Sequence, residues 1–375
     1  MRVVVATVAH RGDDARIVHR QTRALLAAGH SVVLIAPEPG DHARRFDPDG
    51  LERIEVPRAV GRRRLLSWWR FSLILGTVTR DADVLLAHDP ELLPLVAFRR
   101  LSGVRKIWDV HEDYLAYAPH VSWLGSWSKG MLRLAVKLLY GVGRRRFGIL
   151  LAEESYRKDF PEAPVVRNTT SVAEQLAGLT HPDRVVYVGR ISNDRGCWEM
   201  IEIGRRLASE AGISLVLVGP CDVDCEDAVR RAVTGGWVDW RGVLPNPEAR
   251  IIIRGSLVGL SLLHDVANYR HSLPSKMFDY WSEGLPVIAT PLPASRELVA
   301  ASRGGVLVSA FDGADVVEEV VRRVISLRDD ELERSRLAEA GWEYVRNHAS
   351  WVREGAEFER LIRMTPSPRR RRRSV

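Results

Sequence analysis

The sequence predicts an α/β protein built from two doubly wound halves, each a largely parallel sheet wrapped by helices. Three observations carry that reading. Short apolar runs of strand length alternate with longer amphipathic stretches, the pattern of βαβ units whose strands are covered on both faces. The alternation breaks once, at the polar stretch Thr169–Pro182, and then restarts. At 375 residues the chain is long for a single core, which favours two domains. No short-period repeat underlies the pattern.

In the first half, Arg2–Val8 reads as a strand, Ala15–Ala28 as an amphipathic helix closed by Gly29, and Ser31–Ala36 as the next strand. Asp83–Ala87, Lys106–Val110 and Gly148–Ala152 continue the sheet, and Pro164–Asn168 leads out of it. After the polar break come strands at Arg184–Val188, Ser214–Val218, Val238–Trp240, Val258–Leu263 and Gly305–Val308. Helices are expected at Cys197–Glu210 and Gly313–Arg328, and a last one near Ser350–Met364 has Trp351, Phe358, Leu361 and Ile362 to bury. The expected divisions are residues 1–168, 169–348, a helix over 349–364 and a basic, disordered tail over 365–375.

Composition narrows the class. Hydrophobic content of 46% and charged content of 27% are those of a globular protein. Cys197, Cys221 and Cys225 are too few for a disulfide framework and lack the partners of a zinc site, so a reducing, cytoplasmic setting is expected. The chain enters a strand at once, so no leader is expected, and no apolar run has the length of a membrane span. The net charge is +7, and five of those charges are the run Arg369–Arg373. That tail reads either as a solvated end or as an attachment to anionic lipid; nucleic acid is disfavoured because no reading motif accompanies the charge. Two stretches, Arg58–Phe71 and His120–Phe147, mix arginine and lysine with tryptophan. Two readings stay open for them: a peripheral membrane surface, or core apolar residues on ordinary basic helices.

The most informative stretch is His271–Thr290. It reads as loop, helix, turn and buried strand. Ser272 can cap the helix, Pro274 fits its first turn, Met277, Phe278 and Trp281 face a core, and Gly284 is a left-handed stop before Leu285–Ala289. The polar residues Ser272, Ser275, Lys276 and Asp279 crowd the front. Free N–H groups, the positive dipole end and a lysine suit a phosphate, and an acid one turn on can accept from a ribose. A nucleotide is implied.

The other candidates sit where strands end, the place open α/β sheets hold their ligands. The loop His10–Arg16 has one glycine, Gly12, and not the spaced glycines of a dinucleotide site, which disfavours a dehydrogenase. His88 and His111 follow two strands at equivalent positions. Arg190 and Arg195 follow the first strand of the second half; with Lys276 they make three cations, enough to stabilise a leaving diphosphate across a cleft between the halves.

These residues resemble the fourth family of retaining, nucleotide-sugar-dependent glycosyltransferases. The matching segments are Asp14-Ala-Arg-Ile17, His88-Asp-Pro-Glu-Leu-Leu-Pro94, Asp109-Val-His111, Tyr187-Val-Gly-Arg190 with Arg195-Gly196, and Leu273-Pro-Ser-Lys276 through Asp279 to Gly284-Leu-Pro-Val-Ile-Ala289. The resemblance implies the GT-B fold, two Rossmann-like domains facing across a central cleft, with the final helix returning to the N-terminal domain. It implies that Arg190 and Arg195 hold the donor diphosphate, although the family usually has lysine at the second position. It implies a donor-binding set of Gly12, Arg190, Arg195, Gly242, His271, Ser272, Ser275, Lys276 and Asp279, with His111, Arg190, Arg195 and Lys276 acting on the transition state. The family's two glutamates fall on His271 and Asp279, so the sugar end departs from the pattern. Acceptor-side candidates are His10, Arg16, His88, Asp89, Glu112 and Tyr114. No metal and no cofactor is implied; Asp81-Ala-Asp83 and Asp222-Val-Asp224 mimic metal-binding acid pairs, but the first precedes its strand and the second reads as a helix start.

The expected reaction is transfer of a hexosyl or N-acetylhexosaminyl group from a UDP-sugar, or less readily a GDP-sugar, to an acceptor hydroxyl with retention. The acceptor is a small molecule, a glycan or a lipid-linked acceptor. A non-hydrolysing sugar-nucleotide 2-epimerase and a non-catalytic nucleotide-sugar binder are the competing readings, and incubation with donor alone or calorimetry without turnover would distinguish them.

Overall fold

The computed structural model describes the chain apart from residues 41–42, 62, 100, 102, 113, 118–125, 271–272 and 365–375, with the backbone alone at 116–117, 126–129 and 267–268. Two compact units form: Met1–Asn168 with Trp351–Val375, and Thr169–Ser350.

In the first unit the strands are β1 (Arg2–Ala6), β2 (Ser31–Ala36), β3 (Glu52–Glu55), β4 (Val84–Ala87), β5 (Arg105–Val110) and β6 (Gly148–Leu151). They pair in the order β3-β2-β1-β4-β5-β6, and every pairing is parallel. The first helical segment opens as a wide, π-type turn over Ala15–Thr22 and tightens into α1 (Arg23–Ala27). Periodicity predicts a regular helix from Ala15 to Ala28, and the structure widens its first half. Asp14 starts the wide turn, its carboxylate accepting from the N–H groups of Arg16 and Ile17 at 2.9 and 3.0 Å. Further helices are α2 (Arg63–Val78), α3 (Leu93–Ala97), α4 (Tyr114–Tyr117) and α5 (Ser126–Arg146).

The second unit holds β7 (His181–Val188), α6 (Cys197–Ala211), β8 (Ser214–Val218), α7 (Val223–Thr234), β9 (Val238–Trp240), α8 (Asn246–Ile253), β10 (Ser256–Ser261), α9 (Ala267–Arg270), α10 (Ser275–Ser282), β11 (Val287–Ala289), α11 (Pro293–Ser302), β12 (Gly305–Leu307), α12 (Gly313–Asp329) and α13 (Glu331–His348). Its sheet runs β12-β11-β10-β7-β8-β9, again parallel throughout. Counted from its own first strand this is the same 3-2-1-4-5-6 order as the first sheet. It is the Rossmann arrangement, with the crevice between strands 1 and 4. The loops after β1 and β4, and after β7 and β10, therefore define the two places to look for ligands.

Alternation along the strands divides each core. In the first unit Val4, Ala6, Val33, Ile35, Leu85 and Trp108 face one layer with α2, α3 and α5. Val3, Val5, Leu34, Leu86 and Ile107 face the other, with Ile17 and Leu25. The last helix, α14 (Trp351–Met364), completes that second layer: Trp351, Phe358 and Ile362 are buried in it, and the Trp351 indole N–H donates to the Arg20 carbonyl at 3.1 Å.

The stretch Thr169–Pro182 is not the loose linker its polarity suggests. Thr170 N–H donates to Ala349 O, Ala173 N–H to Ser282 O, and the Trp342 indole to Ala173 O, so its backbone is pinned to the second unit. Strand β7 also begins earlier than expected, at His181.

Candidate functional site: the two switch-point loops

In the second unit α10 is held over the sheet by two aromatic residues. The Tyr280 hydroxyl accepts from Val188 N–H at 2.8 Å and donates to Leu260 O at 3.1 Å, tying the helix to the ends of β7 and β10. Its ring lies on Gly259, where a Cβ would come within 2.5 Å. The Trp281 indole donates to Gly304 O at 2.8 Å. Pro274 is the residue before the helix rather than inside its first turn, and Gly284 ends the segment at φ +74 as expected.

That mounting fixes Lys276. Its Nζ is buried without a hydrogen-bond acceptor and sits 3.8 Å from the centre of the Tyr187 ring. Burial, and then the Arg195 guanidinium, push its pKa well below the usual value. Arg195 donates to the Tyr269 hydroxyl at 3.1 Å and lies over that ring. Two cations thus converge with tyrosines for company and, among the described residues, no carboxylate between them, an arrangement that costs energy until an anion arrives. Arg190 behaves differently: it is exposed and its Nε donates to Asp222 at 2.5 Å. Asp222 starts α7 and spends its carboxylate on this arginine, so the Asp222–Asp224 pair is a helix start. Asp83 accepts from Arg2 N–H at 2.8 Å, which accounts for the other acid pair.

Asp279 is partly buried and accepts from the Thr170 hydroxyl at 2.8 Å; Thr170 in turn accepts from Arg250 at 2.9 Å. Ser275 is exposed at the first position of α10. Gly242, at φ +63, offers its carbonyl to Gly219 N–H at 2.7 Å. His271 and Ser272 lie outside the described residues. Tyr269 and Thr170 are not among the expected site residues, and Tyr187 and Asp222 take roles that the motifs containing them do not assign. Only the place of Tyr187, the last residue but one of β7 and three before Arg190, could have signalled any of them.

In the first unit Asp89 clamps the switch point. After β4 its carboxylate accepts from Thr7 Oγ1 at 3.0 Å and from the N–H groups of Val8 and Ala9 at 2.5 and 3.0 Å, all after β1. It also lies 3.2 Å from His10 Nε2. Burial would raise its pKa, but His10 and the two amides hold it low. His10 Nε2 in turn reaches His111 Nε2 at 2.9 Å, and His111 Nδ1 faces the Asp109 carbonyl at 3.2 Å. Burial lowers His10, yet Asp89 overrides it and raises the group to about 9. Burial first, and then the neighbouring histidines and Arg16, take His111 down to about 4. His10 is the charged member of the pair at neutral pH and His111 the neutral one.

The acceptor-side candidates lie at different depths. Arg16 is buried, donating twice to Asp109 at 2.8 Å and to Val166 O at 3.1 Å, so it braces the sheet end from within. His88 is fully buried with its Nδ1 3.4 Å from Asp109. Asp89 is equally internal. Glu112 is exposed, and Tyr114 is half-buried against the α2–α5 core layer. Gly12 is a glycine for packing: a Cβ there would lie 1.9 Å from Pro37 O. His88, Asp109 and His111 bring ligand-type atoms within 4.8 Å of one another. Both Asp109 oxygens already accept from Arg16, and one also from Gln21 at 2.9 Å, so a fixed guanidinium occupies the place a cation would need.

Comparison with known proteins bears on this geometry. Residues 15–189 match the family model described as a glycosyl transferase 4-like domain. Residues 201–360 match one described as glycosyl transferase-like. The chain is a glycosyltransferase of the fourth family. Among solved structures it is similar to HepE of Anabaena in complex with UDP-glucose, at 11% identity and a TM-score of 0.66, over 97% of this chain and 99% of that one. Sucrose-phosphate synthase of Thermosynechococcus elongatus gives 16% identity and a TM-score of 0.67 over 97% and 98%. WaaG, a glycosyltransferase of lipopolysaccharide biosynthesis, gives 12% and 0.63 over 96% and 99%. These likenesses establish the GT-B fold for this glycosyltransferase. No curated protein matches its sequence.

Proposed function

We propose that this transferase moves a hexosyl or N-acetylhexosaminyl group from a UDP-sugar to an acceptor hydroxyl with retention of anomeric configuration. The observation that carries the reading is the buried Lys276 Nζ beside Arg195, two cations with no anion between them at the N-terminus of α10. A diphosphate answers both. Asp279, one turn further along α10, supplies an acceptor for ribose hydroxyls once Thr170 yields. UDP is preferred because HepE is seen with UDP-glucose.

In the proposed reaction the bond from the anomeric carbon to the β-phosphate oxygen breaks as the bond to the acceptor oxygen forms on the same face. Negative charge builds on the departing diphosphate, where Lys276, Arg195 and, released from Asp222, Arg190 stabilise it. The acceptor proton passes to that diphosphate. Positive charge from these three side chains makes an added metal unnecessary, and His111 assists the transition state as the family resemblance implies. The acceptor is a small molecule, a glycan or a lipid-linked glycan.

A donor screen read by thermal shift tests the binding half: at about 100 times its dissociation constant a true donor adds roughly 2.7 kcal/mol. Product NMR tests the chemistry. Inversion at the anomeric carbon, or loss of turnover on chelation, would sink the mechanism, and full conversion of donor alone would favour an epimerase.

A further inference from the structure

Helices α2 and α5 are apolar on two opposite sides. On α2, Ser67, Phe71, Leu75 and Val78 are buried against the first sheet. At 100° per residue the antipodal side carries Leu65, Leu66, Trp69 and Leu73, which are 47–71% exposed. On α5, Val136 and Tyr140 are buried in the same layer. The antipodal side carries Met131, Leu134 and Leu138, 51–64% exposed. Both outer stripes lie on the same side of the sheet, since both inner stripes enter one core layer. Phe98, just past α3 in that layer, is 72% exposed. A helix with one apolar stripe is satisfied by its core, whereas a second stripe of this size calls for a second apolar partner.

Charge identifies the partner. The chain as a whole has 48 acidic residues against 55 basic ones. Yet α2 and α5, 16 and 21 residues long, contain no Asp or Glu. Arg63, Arg64 and Arg70 lie on the first, and Arg133, Lys137 and Arg144–Arg146 on the second. Arg64 reaches across to Glu91 at 3.0 Å. Arg144 donates to Asp159 O at 2.7 Å and lies over Phe160. Arg63, Arg70, Arg133, Lys137, Arg145 and Arg146 are exposed on long aliphatic stems, which lets leucine and tryptophan enter an apolar phase while the charges stay at its rim. No described helix is long and apolar enough to cross a membrane.

We propose that this face docks on an anionic lipid bilayer, with Trp69, Leu73, Leu134 and Leu138 in the interfacial zone and Arg70, Arg133 and Lys137 on lipid phosphates. Unlike a protein partner, a lipid surface offers continuous apolar depth and a uniform layer of negative charge, which suits two stripes without a single carboxylate. The proposal is independent of the donor chemistry: a soluble acceptor would leave it standing.

The test is flotation of the full chain with vesicles of phosphatidylcholine alone and with one quarter phosphatidylglycerol, at low and high salt. Because the Arg369–Arg373 tail would also attract anionic lipid, each measurement is repeated with those five residues replaced by glutamine. The tail-neutral chain is expected to bind only the anionic vesicles and to release them in high salt. In that background Leu134→Ser with Leu138→Ser should weaken partition about tenfold, and Arg133→Gln with Lys137→Gln about thirtyfold. Unchanged melting temperatures exclude misfolding, since all four residues are exposed. Failure of the tail-neutral chain to bind, or binding indifferent to the leucine pair, overturns the proposal. So does a dimer in sedimentation velocity that the leucine pair dissolves while vesicles go unbound.

Discussion

Nε2 of His10 lies 2.9 Å from Nε2 of His111 and 3.2 Å from Oδ1 of Asp89. The Asp109 carbonyl can only accept, so His111 must donate through Nδ1, and its neutral ring then has a lone pair at Nε2. His10 is left to supply the proton between the rings. In this structure both nitrogens of His111 are therefore engaged, and His10 governs whether Nε2 is free for any other partner.

This makes a prediction about pH. His10 stands at about 9, above its ordinary 6.5, facing Asp89, Asp14 and Glu112. Its charged contact with Asp89 contributes stability fully below pH 6.5 and loses it as pH rises through about 9. Nitrogen NMR at pH 7 should show His10 doubly protonated and His111 neutral with its proton on Nδ1. Transfer by His10→Gln should lack an alkaline limb near pH 9 that the parent enzyme shows. A neutral His10 at pH 7 would refute the assignment.

Lys276→Met separates binding from stability. The folded pKa of Lys276 lies below its unfolded value, so the cost to stability is fully present below the folded value and fades as pH rises from there to the unfolded one. Without donor, Lys276→Met should be more stable by roughly 1–2 kcal/mol at neutral pH. With a UDP-sugar it should lose the thermal shift. Above the folded value, binding to the parent should take up protons, visible in calorimetry as a dependence on buffer ionisation heat, and affinity should fall as pH rises there.

The Arg16–Asp109 pair is a structural charge pair. Burial would raise Asp109, but Arg16 and His88 hold it well below the carboxylate range. Its contribution is present above the unfolded value and lost as pH falls through the folded one. Arg16→Met should cost about 3–5 kcal/mol in urea unfolding, because a buried carboxylate is left uncompensated. A loss under 1 kcal/mol would mean that water reaches Asp109.

Tyr280→Phe tests the mounting of α10. Removing the hydroxyl leaves Val188 N–H and Leu260 O buried and unpaired, for about 1–3 kcal/mol. Hydrogen exchange should quicken at Val188, and donor affinity should drop as Lys276 loses its fixed position.

Much of the fold and part of the site can be read from one dimension. Apolar runs such as Val3–Val5 and Val287–Ala289 must be strands buried on both faces, and Gly284 must end a helix, because period and backbone freedom are local properties. The cations Arg190, Arg195 and Lys276 are legible because they cluster at strand and helix ends. Which of them carries unpaired charge is not: Arg190 meets Asp222, 32 residues away, while Lys276 lies beside the Tyr187 ring and Arg195 with no acceptor among the described residues. Likewise Arg16 and His88 sit in loops that looked open, and Asp109 draws both inside. The sequence by itself determined the two parallel sheets and the positions of the polar groups along them. Tertiary structure decided their charge states and directions, because desolvation and pairing depend on neighbours brought together across the sheet and not along the chain.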